Sequence, residues 1–111
     1  MRKVNVLKTL RATRNLLTPK KNWCKKVYAK RSQRAVLALY GNDPEATCWC
    51  MEGAMQKVLN VPGVYSLMDQ FEPFFPAYAR NFPYYNDHAT HEQVLYALDL
   101  AIANATAAEA R

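Results

Sequence analysis

The stretch "YYNDHATHEQVLYALDL" (residues 84–100) sets an Asn-Asp-His triplet directly before a strongly patterned segment. Thr90 followed by Gln93 is the residue pair of a capping box. A threonine hydroxyl accepts the backbone N–H three residues on, and a glutamine there reaches back to the N-cap N–H. Asp87 stands upstream, where a carboxylate favours the positive end of a helix. Asn86 is a residue type that tolerates tight turns and left-handed backbone. Beyond the cap, Val94, Leu98, Ala101, Ile102 and Ala105 recur at helical spacing on one face, with Leu95 at its edge. The triplet therefore reads as the device that starts the last helix. Only His88 is left without a structural role. The alanine-rich tail, residues 104–111, is expected to fray.

The rest of the chain arranges itself around that helix. Val6, Leu7, Leu10 and Leu17, with Thr13 between them, predict an amphipathic helix over residues 4–17, ended by Pro19. The β-branched and aromatic residues from Trp23 to Tyr40, closing on Gly41-Asn42-Asp43, suit a short β-hairpin. Asp43-Pro44-Glu45 combines a capping side chain, a first-turn proline and an early acid, so a helix is expected to start there and run to Pro62-Gly63. Cys50, Met51, Ala54, Met55 and Val58 would form its buried stripe. Trp49 would point away, either packed under another segment or exposed as an anchor. Residues 64–72 suggest a short helix. Residues 71–85 hold seven aromatics and three prolines, and read as an irregular aromatic strap interrupted at Pro76 and Pro83. The expected fold is mainly α, a single compact domain over residues 1–111 with three to four helices and a short β-hairpin around residues 23–40.

With 111 residues, half of them hydrophobic, the chain has material for one core. Its longest apolar run, Ala35 to Tyr40, is too short to span a bilayer or to form a signal-peptide core. The acid-free N-terminus faintly resembles a transit peptide, but serine is nearly absent there. An odd set of three cysteines, Cys24, Cys48 and Cys50, argues against a disulfide framework and for a reducing, cytoplasmic setting. The net charge of +6 is unevenly spread. Residues 1–34 hold twelve Lys or Arg and no acid, while residues 35–111 hold three basic and nine acidic side chains. A basic third of this kind suits an acidic protein surface, a nucleic acid, or the acidic half of another copy, giving a homo-oligomer through opposite-charge faces.

Motifs that carry chemistry are sparse. His88-x-x-His91 with Cys48-x-Cys50 holds zinc-type ligands, yet the spacing matches no common zinc module, and His91 faces the apolar side of its helix. A Cys50–His88–Asp87 nucleophile arrangement is conceivable. Adjacent Asp and His side chains point apart, however, and nothing supplies an oxyanion hole. The three glycines, Gly41, Gly53 and Gly63, are isolated, so there is no phosphate loop. No catalytic residue, metal or cofactor is expected. Gly53-Ala54 reads as a place where a neighbouring element comes close, at roughly 1 kcal/mol of helix propensity for glycine against alanine.

Trp23, Tyr28-Ala29, Cys50-Met51-Glu52-Gly53-Ala54, Tyr85-Asn86-Asp87, Thr90 and the closing "LDLAI" occur in an order that resembles a family of small bacterial and bacteriophage proteins of unknown function. The pattern of that family is an early Trp, a Cys-x-x-Gly-Ala helix and an aromatic-Asn-Asp turn before the C-terminal helix. The resemblance implies a compact, mainly helical domain without an assigned chemistry. Cys50, Gly53, Ala54, Asn86 and Asp87 are the matching positions. The basic excess of residues 1–34 lies outside the pattern.

Two classes of function follow. The first is a phage- or mobile-element-encoded interaction protein that binds and modulates a host protein. Its contacts would come from Lys8, Arg11, Arg14, Lys20, Lys21, Trp23, Lys25, Lys26, Tyr28, Lys30, Arg31 and Trp49, since aromatics and arginines anchor interfaces. The second is nucleic-acid binding through segment 1–34, with Trp23, Tyr28 or the aromatic strap stacking on bases. A weaker third is an enzyme or ligand-sequestering protein with a pocket near Asn86, Asp87, His88 and Trp49. No membrane association is expected. Cys50, Gly53, Ala54, Asn86, Asp87, Thr90 and Gln93 are assigned to the scaffold.

Overall fold

The computed structural model describes residues 3–63 and 67–111; Arg2 and residues 64–66 of the expected short helix lie outside them. The fold is mainly α. Among the described residues it contains α1 (Val6–Leu17), α2 (Met51–Leu59), α3 (Met68–Phe71), α4 (Phe82–His88) and α5 (His91–Glu109), with one two-stranded ladder, β1 (Ala29–Lys30) and β2 (Cys48–Trp49). The count exceeds the three to four expected because the aromatic stretch forms helical turns. Pro83 does not break that stretch. It occupies the first turn of α4, where the missing N–H would have no partner in any case.

The first and last helices form as their sequence dictates. Asn5 caps α1 by accepting the Lys8 N–H at 3.0 Å, and Leu7, Leu10 and Leu17 are buried on one side. The Thr90–Gln93 capping box is formed in both directions, at 3.1 and 2.9 Å. Val94, Leu98, Ala101 and Ala105 are buried behind it. α5 continues to Glu109 through the tail expected to fray. Ala105 is held in the core there, and Asn104 donates to the Phe74 carbonyl at 2.8 Å. α1 packs on both α2 and α5, and Phe71, Phe75 and Phe82 are completely buried.

The middle of the chain departs from the expectation. Asp43-Pro44-Glu45 does not start a helix; Asp43 accepts the Glu45 N–H at 2.8 Å in a turn. Residues 47–49 are extended because β1 claims them. Ala29 pairs with Trp49 and Lys30 with Cys48, antiparallel, and the flanking bonds Thr47 N to Lys30 O (2.9 Å) and Cys50 N to Tyr28 O (3.1 Å) prolong the pairing. Two isolated bridges widen this patch, Ala29 with Leu39 and Trp23 with Trp49. The partner of residues 29–30 in the ladder thus lies beyond residue 40, outside the span expected for a hairpin. α2 begins only at Met51. Its cap is the Cys50 sulfur, which accepts the Gly53 N–H at 3.3 Å. Asn60, at φ 54°, closes α2 in left-handed backbone.

Candidate functional site: a lysine cleft beside an apolar loop

The segment between α1 and β1 is held from beneath by one side chain. Asn86 is fully buried. Its Oδ1 accepts from the Trp23 indole N–H at 2.8 Å and from the Met51 N–H at 3.1 Å, and its Nδ2 donates to the Cys24 carbonyl at 3.0 Å. Asn86 is therefore not a turn residue. It ties the 23–24 segment, the start of α2 and α4 together. Asp87 acts in a related way. Its carboxylate accepts the Lys26 N–H at 2.7 Å and so holds Lys26 at φ 72°, a region L-residues seldom adopt. Asp87 itself lies within α4, upstream of the Thr90 cap of α5.

On this support Lys20, Lys21, Lys25, Lys26 and Lys30 gather with Trp23, Cys24 and Gln33 around a cleft of about 660 Å³. No acidic side chain lines it. Gln33 closes one side, donating to the Lys21 and Trp23 carbonyls at 2.9 and 2.6 Å. Trp23 is the floor: it is buried, and the Lys25 ammonium lies 5.3 Å from its ring, within cation–π range. Gln33 belongs to the loop of residues 31–38. On that loop Val36 is 97% and Leu37 69% exposed, a pair whose hydropathy alone gave no hint of its position.

The other basic residues singled out in the sequence do not join the cleft. Arg14 forms a two-pronged pair with Asp99 of α5, at 2.9 and 3.2 Å. Arg31 pairs with Glu45 at 2.8 Å. Lys8 and Arg11 border a separate shallow recess with Glu109. Trp49 is buried, and its N–H donates to the Gly41 carbonyl at 2.9 Å. Neither tryptophan stands free as an anchor. Tyr28 is half-buried, stacks on Tyr40 at 6.3 Å, and hydrogen-bonds Glu52. Burial, and secondarily Glu72, holds the Glu52 carboxyl above its ordinary range against that bond.

Cys50 and Asp87 share a second recess of about 430 Å³ with Lys26, Tyr28 and Pro83. His88 is elsewhere, stacked on Tyr84, so the Cys50–His88–Asp87 arrangement is not assembled. His91 donates from Nε2 to the Leu17 carbonyl at 2.7 Å, which satisfies the C-terminal end of α1. No group of three or more His, Cys, Asp or Glu among the described residues is arranged to hold a metal.

Burial pushes the Cys50 thiol up to about 12, against the N–H bonds from Gly53 and Glu52. Burial likewise pushes the Cys24 thiol far up, with Cys48 adding to it. Such thiols are not nucleophiles near neutrality. All three cysteines should resist alkylation at pH 7.5 in the folded chain and react once it is unfolded; a rapidly modified native thiol would contradict their burial. The folded state keeps the Cys50 proton that the unfolded chain loses above about 9. The associated stability is intact below that pH and is lost progressively toward 12. Urea midpoints should fall between pH 8 and 10.5, and fall less in Cys50→Ala.

The described residues contain no helix long and apolar enough to cross a membrane. Comparison with curated proteins gives no match, and comparison with solved structures gives none either. The family model of DUF6197, a family of unknown function, matches residues 1–104, and the chain belongs to that family.

Proposed function

We propose that this protein is a docking module that binds and modulates a partner protein of the cell in which it acts, by seating an acidic segment of that partner in the lysine cleft. The observation that carries the reading is the convergence of five lysines on a cleft with no acidic side chain in its lining, whose bordering loop exposes Val36 and Leu37. Lysines supply steering and register, and buried apolar contacts supply most of the affinity of a protein interface. Nucleic acid is the less favoured occupant. Trp23 and Trp49, the aromatics best suited to stacking on bases, are buried with their indole N–H groups engaged.

A labelled peptide of alternating glutamate and leucine and a single-stranded oligonucleotide separate the two readings. Lys20→Glu, Lys21→Glu, Lys25→Glu and Lys26→Glu together should weaken the peptide by about 100-fold, and Val36→Ser with Leu37→Ser by about 10-fold. Stronger binding of the oligonucleotide, with a steep salt dependence and no response to the loop substitutions, would turn the assignment to phosphate contacts.

A further inference from the structure

The surface opposite in character to the lysine cleft is aromatic. Tyr78, from the turn Ala77–Ala79, Tyr84 of α4 and Tyr96 of α5 are 60%, 63% and 59% exposed. With Tyr85, His88 and Gln93 they line a pocket of about 350 Å³. Its walls are held in place. The Tyr85 hydroxyl donates to the Gln93 carbonyl at 3.0 Å, and the Tyr78 and Tyr85 rings lie 5.7 Å apart at 50°. His88 stacks on Tyr84 with centroids 4.1 Å apart. The partner of His88 Nδ1 is the Tyr84 carbonyl at 2.8 Å. A carbonyl only accepts, so Nδ1 carries the hydrogen.

From these walls we infer that the pocket is a cage for a small quaternary ammonium compound. Ring faces carry negative quadrupolar potential and attract cations. From residue 81 to residue 110 there is no Lys or Arg, so no basic side chain of α4 or α5 opposes a cation there. No lysine or arginine lines the pocket, so nothing there would pair with an anion. No carboxylate lines it either. A primary ammonium finds no carboxylate to pair with there, whereas an alkylated ammonium needs no hydrogen-bond acceptor and is held by ring faces alone. The pocket lies at the small end of ligand sites in volume, which suits a compact headgroup.

Choline and its uncharged carbon isostere, 3,3-dimethylbutan-1-ol, test this on the full chain, followed by NMR of the tyrosine rings. Choline should shift Tyr78, Tyr84 and Tyr96 with millimolar affinity, and the isostere should bind about ten times more weakly. Tyr84→Phe with Tyr96→Phe keeps the ring faces and should retain binding. Tyr84→Leu with Tyr96→Leu keeps apolar volume and should lose it about ten-fold. Equal binding of the isostere overturns the cage, and so does insensitivity to the leucine pair. Absence of tyrosine shifts up to about 50 mM choline overturns it too. A proline-rich peptide that binds more tightly and displaces choline would reassign the pocket to extended-peptide recognition. The isostere comparison uses the unaltered protein and does not depend on any variant folding.

Discussion

Asn86→Ala should cost about 4 kcal/mol, a large fraction of the roughly 5–15 kcal/mol by which a domain of this kind is stable. Three buried groups lose their partner at once: the Trp23 indole N–H, the Met51 N–H and the Cys24 carbonyl. Each stranded polar group costs about 1–3 kcal/mol, and the site is closed to water because Asn86 and Met51 are fully buried and Trp23 nearly so. Chemical denaturation measures the loss, and a change below about 1 kcal/mol would show that the three bonds are replaced. Asn86→Asp refines the test. A carboxylate can still accept from Trp23 and Met51, but when ionised it cannot donate to Cys24, and its charge is buried. Burial raises the folded-state value of such an acid above the unfolded value of about 3.9. The folded variant then holds its proton more tightly. It should be less handicapped relative to wild type at pH 4 than at pH 7.

Gly53→Ala should destabilise the fold by about 2–3 kcal/mol, although local propensity argues the reverse. Alanine is better in a helix than glycine by about 1 kcal/mol. A Cβ at Gly53, however, would be driven onto the Tyr28 carbonyl oxygen and would lie 2.6 Å from its carbonyl carbon. That backbone cannot retreat, because Tyr28 O accepts the Cys50 N–H at 3.1 Å and the β1–β2 ladder follows directly. The packing penalty should prevail. Gly41 is under the same constraint from the opposite side: its Cβ would meet the Gly53 carbonyl and lie 2.7 Å from Gln56 Cβ. Thermal denaturation of Gly53→Ala and Gly41→Ala decides the sign, and a higher melting temperature in either would disprove the close approach.

The reading from residue types succeeded where the determinants are local. The Thr90–Gln93 box and the apolar periodicity after it needed only a helix's own geometry, and both are formed. The Gly53-Ala54 pair was legible as a close approach, though not which element approaches. The start of α2 was misplaced by several residues because Asp43-Pro44-Glu45 satisfies every local rule for a helix start. Pairing of residues 47–50 with residues 28–30 overrides it, and that pairing is a long-range choice. The candidate site shows the same division. Clustered lysines were visible in the sequence, but Arg14 and Arg31 looked equivalent to them until Asp99 and Glu45 were found against them.

By itself the sequence determined the helical character, the capping box of the last helix and the separation of charge between its first third and the remainder, since each depends on neighbours within a turn or on composition. Tertiary structure decided that Asn86 is a buried three-way hydrogen-bond node, that both tryptophans are internal, and which five lysines gather around one cleft. Those outcomes depend on groups more than sixty residues apart for Asn86 with Trp23 and Cys24. A side chain's hydrogen-bonding capacity is written in its chemistry, but the partner it finds is set by the packing that excludes water around it.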